Sequence, residues 1–436
     1  MILPDYVARC VTALEANGYE AWAVGGCVRD PMLGLQPHDY DLCTCALPEE
    51  TEAVFAGWNL VLSGKKHGTV GVITEGGVVE ITTFRTEGGY TDSRHPDWVR
   101  FVPEIREDLA RRDFTVNAMA WSPTRGLKDP FGGREDLENR ILRAVGDPRL
   151  RFREDALRIL RGVRFACRYH LTIEEETLAA MVELAPLMEE LARERVFAEL
   201  SGILPVINRE ELLRFGPILA AVLPELEPTF GFDQRSPHHA YDLFTHTAHV
   251  TGQLPPDPAL RWAGLLHDVG KIPTFTLDET GRGHFYGHAA VSAEMADRAL
   301  LRLKAPTALR RQTVTLIEKH MTPLLPDRKL LRRRIAQLGW ETVEQLLAFQ
   351  KADMGSKGTG EHDGSLFTQT EELLEQLRRE DACLSLKDLA VTGHDLMALG
   401  YRGKAIGQAL ETLLEAVVEE RLPNEKNALL CSLEVS

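Results

Sequence analysis

The sequence lacks three features that are typical of membrane and secreted proteins. No apolar run in its 436 residues approaches the roughly 20 residues that a membrane-spanning helix needs. Near the N-terminus, Asp5 and Arg9 interrupt the chain before the apolar region of a signal peptide could form. The seven cysteines are odd in number and form no C-x-x-C pair, which indicates reduced thiols. We therefore expect a cytoplasmic protein.

The chain also lacks an overall positive charge, and its net charge of −15 argues weakly against a nucleic-acid partner. That average conceals a basic segment, residues 149–168, in which seven arginines face only two acidic residues. A basic stripe on an acidic protein can still bind a phosphate backbone. Charge alone therefore does not decide whether RNA is the partner. The length predicts two to four globular domains.

One stretch, residues 20–45, combines two features of a nucleotide-binding site. Gly25 and Gly26 follow a short apolar strand pattern and open a helical pattern, where free backbone N–H groups favour a phosphate. Arg29 lies close enough to that turn to hold a phosphate oxygen. Alternation then puts Asp39 and Asp41 on one face of a predicted strand, where they can converge on a divalent cation. The alternative is a strand end with two solvated acids.

A predicted β-hairpin supplies a third acidic residue. Two strand-like runs, residues 65–74 and 78–87, flank a turn at Glu75–Gly77. Glu80 lies in the second run between apolar neighbours, which favours it as the third carboxylate of the metal site, although an edge-strand surface acid is the alternative. Next, residues 88–101 mix glycine, proline and both charges without a period, which predicts a mobile loop.

The next segments are predicted to be helical and rich in arginine. Residues 107–120 form one predicted helix, with Arg112 and Asp113 near its middle. From residue 151 the helical pattern continues almost to the end of the chain. An i, i+3 spacing predicts that four charged residues share one helix face: Asp155, Arg158, Arg161 and Arg164. The alternative is a salt-bridged, solvated stripe, but an all-arginine ladder suits planar bidentate contacts better.

A second group of residues, far from the aspartate pair, is typical of a metal site with nitrogen ligands. The adjacent pair His267 and Asp268 ends an apolar helix, His246 precedes it by 21 residues, and Asp353 lies well downstream. This set predicts a divalent transition metal, such as Ni²⁺, Mn²⁺ or Fe²⁺, because Mg²⁺ disfavours nitrogen ligands.

These motifs together resemble a known family. The Gly-Gly turn followed by Asp-x-Asp is similar to the nucleotidyltransferase signature of the polymerase-β superfamily. The segments ARRDFTVNAMA, DPFGGREDL, EDALRILR and RERV resemble the motifs of class II tRNA nucleotidyltransferases and bacterial poly(A) polymerases. HAYDLFTHT and LLHDVGK are similar to the HD domain of many bacterial members. The resemblance covers nearly the whole chain.

The resemblance implies an α+β fold, with a small mixed sheet in the head and helices elsewhere. It implies a nucleotidyltransferase head at residues 1–147, a helical neck at 148–235, an HD domain at 236–356 and a helical tail at 357–436. It also implies a role for each matching residue. Asp39 and Asp41 would bind two Mg²⁺ ions with Glu80 completing the site, and Gly25, Gly26 and Arg29 would lie near the nucleotide phosphates. Arg112 and Asp113 would contact the nucleotide, while Asp155 and Arg158 would act as a protein template that Arg161 and Arg164 support.

The implied activity is template-independent addition of CMP and AMP, from CTP and ATP, to the 3′ end of tRNA. Cytosine and adenine both present an amino donor beside a ring-nitrogen acceptor, which one Asp and one Arg can read. An A-adding enzyme or a poly(A) polymerase is the alternative within the family. Relatives that add only CC lack a working loop, whereas the loop at 88–101 has ordinary length, which argues against a CC-adding enzyme. A metal phosphohydrolase centred on the HD domain is the alternative of another class. The sequence leaves the oligomeric state open.

Overall fold

The chain forms two compact units in a computed structural model, which describes residues 2–88, 98–237, 240–358, 364–380 and 383–434. The first unit comprises residues 1–207 and 214–224, and the second comprises residues 208–213 and 225–436. The predicted α+β class is confirmed: the sheet lies in the first unit and the remainder is helical. The finer division into four domains stays a prediction.

The strands of the first unit are β1 Ala21–Val24, β2 Asp41–Thr44, β3 Asn59–Val61, β4 Thr69–Thr74, β5 Gly77–Thr83, β6 Arg85–Gly88, β7 Trp98–Phe101, β8 Ala120–Ser122, β9 Gly126–Lys128, β10 Ile141–Leu142 and β11 Thr172–Ile173. Within the described residues, seven of them form one sheet in the order β3-β4-β5-β2-β1-β8-β9. In the sheet, β2 and β5 run parallel, and every other neighbouring pair is antiparallel.

Helices cover this sheet and extend the first unit. They are α1 Asp5–Ala16, α2 Gly26–Met32, α3 Pro48–Val54, α4 Ile105–Ala110, α5 Gly133–Glu138, α6 Pro148–Glu154, α7 Leu157–Tyr169, α8 Glu175–Leu184, α9 Arg193–Ile203 and α10 Arg209–Ala220, the last of which is divided between the two units. One core cluster packs Trp22, Phe84 and Leu109 between the sheet and α4. This packing fixes the ends of β1 and β2, from which the site residues project.

The second unit is almost entirely helical. Its helices are α11 Leu243–Gln253, α12 Pro258–Leu266, α13 Lys271–Thr274, α14 His288–Arg302, α15 Thr307–Lys319, α16 Arg328–Leu338, α17 Trp340–Gly355, α18 Ser365–Arg379, α19 Gly393–Ala398, α20 Lys404–Val418 and α21 Lys426–Glu434, with a short hairpin of β12 Thr276–Leu277 and β13 Gly283–His284. Helices α11, α12, α14, α15 and α17 pack on one another. Across the described ranges, every helix is too short or too polar to span a bilayer.

The structure confirms the hairpin and corrects two predicted helices. Strands β4 and β5 pair around the turn at Glu75–Gly77, as predicted. The predicted helix over 107–120 is wrong: α4 ends at Ala110, and Phe114 is extended, because Asp113 accepts hydrogen bonds from the Phe114 N–H and the Asn117 amide and so competes with helical bonding.

The second correction concerns Asp155, which was predicted to share a helix face with the arginines after it. Its backbone is extended, at φ −149° and ψ 102°, and it separates α6 from α7. The Asp155 carboxylate accepts a hydrogen bond from the Leu157 N–H, which stabilises the break. Of the four residues predicted to share a helix face, only Arg158, Arg161 and Arg164 therefore lie on α7. The central residues of the predicted loop, 89–97, lie outside the described residues, while its flanks pair as β6 and β7.

Candidate active site

Three acidic residues lie near the start of β2. Asp41 is the first residue of β2, and parallel pairing with β5 places it opposite Glu80. Asp39 lies two residues earlier, and its negative charge acts on Asp41. The structure therefore places the three predicted acids near one another, but the prediction that Asp39 lies on the strand is wrong, because β2 begins only at Asp41.

The three carboxylates repel one another when all are ionised. Asp41 keeps access to solvent, but desolvation by the surrounding protein raises its pKa, and the charges of Asp39 and Glu80 raise it further, to about 6. Arg112 opposes this shift without cancelling it. A divalent cation among the three oxygen donors would remove the repulsion, and carboxylate oxygens are the ligands that Mg²⁺ prefers.

The glycine turn has the conformation that a phosphate-binding turn requires. Gly25 has φ 71° and ψ −130°, a backbone conformation that only glycine adopts readily, and α2 begins at Gly26. A Cβ atom on Gly25 would lie 3.4 Å from Nη1 of Arg112, so the guanidinium lies directly beside the turn. The glycine turn and the Arg112 guanidinium therefore line the same cleft.

A cleft of about 680 Å³ joins the glycine turn, the aspartates and the arginines of α7. Eleven of the twelve predicted transferase residues line it, and Glu80 is the exception. Nine arginines and five aspartates are among its lining residues, so the cleft is positive in a chain of net charge −15. The positive charge of such a cleft favours the binding of a polyphosphate or of an RNA backbone.

Arg29 lines the cleft, and its guanidinium is also bonded to several protein groups. It is buried, and its guanidinium donates to Asp30, to the Asn117 side-chain oxygen at 2.5 Å and to the Tyr169 hydroxyl at 2.6 Å. The Tyr169 ring also lies under the guanidinium, 4.3 Å from its centre. These contacts occupy Arg29 within the protein, which indicates that it holds the cleft together.

Asp113 is also held by protein groups. Arg161 donates to it through Nε at 2.8 Å, and Asn117 donates to its other oxygen at 3.1 Å. Burial alone would raise the pKa of Asp113, but the charge of Arg161 and these hydrogen bonds lower it to about 2. Asp113 is therefore ionised at neutral pH, where it accepts hydrogen bonds from Arg161 and Asn117.

The two predicted template residues lie in the same cleft but are paired elsewhere. Asp155 forms an ion pair with Arg195 at 2.8 Å, and Arg158 forms one with Glu154 at 2.7 Å. Arg158 also donates to the backbone carbonyl of Arg111. Arg164 is paired with Glu199, at 2.6 Å. A base that bound Asp155 and Arg158 would have to replace these partners.

Sequence reasoning missed several residues of this cleft. Asn117 links Arg29 to Asp113, Tyr169 anchors Arg29, and Arg195 neutralises Asp155. The RERV segment, which includes Arg195, was a signal for it. Asn117 and Tyr169 follow no periodic pattern that would have placed them beside Arg29, because their proximity arises from tertiary packing.

In the second unit, the predicted His-Asp residues also come together. Nε2 of His246 lies 3.5 Å from Asp268 and 3.0 Å from Asp353, and Nε2 of His267 lies 3.1 Å from Asp268. Ligand atoms of His246, His267 and Asp268 all lie within 4.8 Å of one another and are buried. We call these residues, together with His288 and His320, the histidine cluster.

His288 and His320 belong to the histidine cluster but were not among the predicted ligands. Their ligand atoms and one from Asp268 also lie within 4.8 Å of one another. Burial lowers the pKa of His320, and the positive charge of His267 lowers it further, to about 4, so its ring is neutral at neutral pH. A neutral imidazole is the form that binds metals. The cluster draws on α11, α14 and α17 and on the ends of α12 and α15.

A mixed sheet with clustered carboxylates, a glycine turn and an arginine-rich cleft defines the chain as a nucleotidyltransferase. Family models agree: the poly(A) polymerase head domain matches residues 21–143, an RNA- and SrmB-binding site of polymerase A matches 170–229, and domain 2 of tRNA nucleotidyltransferases matches 285–433. Such family membership implies the use of a divalent metal.

The chain belongs to the family of CCA-adding enzymes. The CCA-adding enzyme of Levilactobacillus brevis is 35% identical over 425 residues, which are 96% of this chain and 95% of that enzyme. The enzyme of Enterococcus faecalis is 48% identical over 203 residues, or 47% of this chain and 50% of that enzyme. The crystal structure of the Bacillus stearothermophilus CCA-adding enzyme in complex with CTP has a TM-score of 0.69 at 27% identity, covering 100% of this chain and 98% of that one.

The raised pKa of Asp41 predicts pH-dependent metal binding. Below about pH 6 a proton competes with the cation, so Mg²⁺ affinity should fall about tenfold per pH unit. The same shift affects stability: between about pH 4 and 6 the folded protein binds more protons than the unfolded chain, so the free energy of unfolding falls as the pH rises through that window.

Calorimetric titration with Mg²⁺ near pH 5, 6 and 7 measures the Mg²⁺ affinity. Asp41→Asn should bind more weakly and without this pH dependence; equal wild-type affinities at all three pH values would contradict the assignment.

The contacts of Arg29 predict a mainly structural role. Arg29→Met leaves Asp30 buried without its cation, so the free energy of unfolding in urea should fall by about 3–5 kcal/mol. The matched control is Arg134→Met, which breaks an exposed ion pair with Glu138 and should cost about 0–1 kcal/mol. If Arg29→Met instead raised the KM for CTP at unchanged stability, Arg29 would be a phosphate ligand.

Proposed function

We propose that this chain completes the 3′ end of tRNA by adding CMP and AMP residues from CTP and ATP, with Mg²⁺. The observation that carries the proposal is the carboxylate trio beside an arginine-lined cleft. It is supported by full-length relatives that are CCA-adding enzymes and by a similar structure determined with CTP. These relatives favour complete CCA addition over A addition alone or poly(A) synthesis. We place the reaction in the cytoplasm, in keeping with seven free cysteines.

The proposed reaction is an in-line attack by the RNA 3′-hydroxyl on the α-phosphate of the incoming nucleotide. The new P–O bond forms as the bond to the β-phosphate oxygen breaks, and pyrophosphate leaves. Asp39 and Asp41 would hold Mg²⁺ with help from Glu80, and the ion supplies charge neutralisation at the phosphate and activation of the hydroxyl. The Gly25–Gly26 turn and Arg112 would orient the triphosphate, so the protein acts mainly by positioning.

Base selection would depend on Asp155 and Arg158. A carboxylate accepts from the exocyclic amine of cytosine or adenine, and a guanidinium donates to the adjacent ring nitrogen. Guanine and uracil present the reversed pattern and would leave groups unpaired, which costs on the order of 1–3 kcal/mol. Both residues line the cleft, and each has a partner that keeps its charge compensated until the base binds.

Nucleotide addition to tRNA lacking CCA tests the function directly. With CTP and ATP together the tRNA should gain three nucleotides, with CTP alone two, and with ATP, UTP or GTP alone none. Asp41→Asn should abolish the addition because a metal ligand is lost, while tRNA affinity stays within about twofold because the arginines remain. Glu138→Gln, an exposed change outside the cleft, is the control. If tRNA lacking CCA gained nothing from CTP and ATP together, while tRNA ending in CC gained one nucleotide from ATP, the chain would be an A-adding enzyme.

The template role predicts a loss of selectivity in Arg158→Ala. The ratio of kcat/KM for CTP over UTP should fall about tenfold or more, since a lost bidentate contact removes about 1–3 kcal/mol of discrimination. Arg149→Ala, on the exposed face of α6 and paired with Glu183, is the matched control and should leave the ratio unchanged. A normal ratio in a stable Arg158→Ala protein would remove this residue from base selection.

A second activity is favoured by the histidine cluster. Nitrogen and carboxylate donors converge in a buried space of the second unit, a donor set that suits Ni²⁺, Mn²⁺ or Fe²⁺. We propose that His246, His267, Asp268 and Asp353 bind such a metal and support hydrolysis of phosphate esters. In that reaction the oxygen of water bonds to phosphorus, the ester P–O bond breaks, and the alcohol leaves with a proton. When bound, the metal lowers the pKa of its water.

The two activities should be separable by mutation. His267→Ala should abolish phosphatase activity on a tRNA 3′-phosphate in the presence of Ni²⁺ and leave CCA addition within about twofold, because the two sets of residues belong to different compact units. His249→Ala is the control, since His249 is on α11 but stacks on Tyr241 instead. Retained phosphatase activity in a folded His267→Ala protein would refute this assignment.

A further inference from the structure

We propose that Arg168 binds the γ-phosphate of the incoming nucleotide and makes the site select triphosphates over diphosphates. Arg168 lies in the last turn of α7, is exposed and lines the cleft, but it was not among the predicted site residues. Because it needs a nucleoside triphosphate in the cleft, this role of Arg168 rests on the proposed function. Arg168 differs from the other arginines of the cleft in its partners and in its position.

Most arginines of the cleft have their charge compensated by a carboxylate. Seven of the nine form ion pairs, namely Arg29, Arg111, Arg112, Arg158, Arg161, Arg164 and Arg195. Arg85 donates to the backbone carbonyl of His67. Within the described residues, no carboxylate pairs with Arg168, and its guanidinium lies 5.6 Å from the centre of the Tyr169 ring. A phosphate can therefore bind Arg168 without displacing a carboxylate.

The position of Arg168 along α7 separates it from the residues proposed to select the base. Residues 161, 164 and 168 follow the i, i+3, i+7 spacing of one helix face. Arg158 lies ten residues before Arg168, which is about 15 Å along the helix axis. An extended nucleoside triphosphate has a length of that order. With its base at Arg158, the nucleotide can therefore extend its phosphates along this face towards Arg168.

Tyr169 connects Arg168 to the glycine turn. The centre of the Tyr169 ring lies 4.3 Å from the Arg29 guanidinium and 5.6 Å from that of Arg168. A Cβ atom on Gly26 would in turn lie 3.5 Å from Nη2 of Arg29. These contacts lead from the turn, where the phosphates are proposed to bind, to the end of α7. Arg168 therefore supplies an uncompensated positive charge at the phosphate end of the cleft.

The chemistry of the guanidinium explains why the third phosphate would matter. Arginine is charged at every relevant pH, and its planar fork can donate two parallel hydrogen bonds to phosphate oxygens. The carboxylate trio and its Mg²⁺ would act at the α-phosphate, where the bond breaks, so the terminal phosphate needs another source of positive charge. CDP has no phosphate at that position. Arg168 should therefore strengthen the binding of CTP and not of CDP.

A purely structural role is the alternative for Arg168. A cation in the last turn of a helix interacts favourably with the final carbonyl groups. The Tyr169 carbonyl already accepts a hydrogen bond from Nη1 of Arg140, at 3.3 Å. An arginine that only stabilised the helix end would affect the melting temperature and leave nucleotide affinity unchanged. The two roles therefore predict different results on substitution.

Calorimetric titration of the full-length protein with CTP and with CDP, in the presence of Mg²⁺ and without RNA, tests the proposal. Arg168→Gln should raise the Kd for CTP about tenfold, as expected for a lost charge-assisted hydrogen bond, and leave the Kd for CDP within about twofold. Arg168→Lys, which keeps the charge and loses the fork, should give an intermediate Kd for CTP.

The matched control is Arg214→Gln. Arg214 is also exposed and also lies beside the ring of the next residue, Phe215, at 5.7 Å, but it is not part of the cleft lining. This substitution should leave the Kd for both nucleotides unchanged. Because Arg168 and Arg214 are both exposed, all three variants are expected to fold.

The outcomes distinguish failure of this contact from failure of the proposed function. An unchanged Kd for CTP in Arg168→Gln would overturn the contact: a raised KM for tRNA would then make Arg168 a ligand of the RNA backbone, and a lowered melting temperature alone would make it structural. An equal rise in the Kd for CTP and for CDP would also overturn it, because the effect would not depend on the γ-phosphate. If wild type bound neither nucleotide, the proposed function would fail as well.

Discussion

Parallel pairing of β2 with β5 is the constraint on which the first unit depends. It places Asp41 opposite Glu80, and the chain before β2 adds Asp39, so like charges are concentrated at one point of the sheet. Folding tolerates this repulsion because the Trp22 and Leu109 cluster fixes the strands and because solvent reaches Asp41. Desolvation raises the pKa of Asp41 and the charges of Asp39 and Glu80 raise it further; a bound cation would relieve this repulsion.

The cleft opposes this negative point with fixed positive charge. Several of its arginines already have protein partners. Arg161 forms an ion pair with Asp113, Arg158 forms one with Glu154, and Arg29 donates hydrogen bonds to surrounding protein groups. Pairing of this kind holds long side chains in defined positions, so less conformational entropy is lost when a nucleotide binds. In the second unit, hydrogen bonds instead of ion pairs hold side chains in position: backbone carbonyl oxygens accept from Nδ1 of His267 and His320.

Local patterns predicted the parts of the fold that local physics determines. The Gly-Gly turn and the hairpin followed from turn chemistry and period-two alternation, and Glu80 was predicted as the third acid because it lies between apolar residues of a strand. Prediction failed where a side chain competes with its own backbone, as at Asp113 and Asp155, because helical periodicity does not register a hydrogen bond that ends a helix. It also missed His320, since only the packing of α15 beside α12 brings that ring to the cluster.

The central claim is that the carboxylate trio holds the metal that meets the nucleotide's phosphates. Anomalous diffraction from crystals of this protein grown with Mn²⁺ and CTP tests it most directly. The account predicts Mn²⁺ about 2.2 Å from oxygens of Asp39 and Asp41 and from a triphosphate oxygen, with the base beside Asp155 and Arg158. Triphosphate bound elsewhere in the cleft, or Mn²⁺ that contacts neither aspartate, would contradict it.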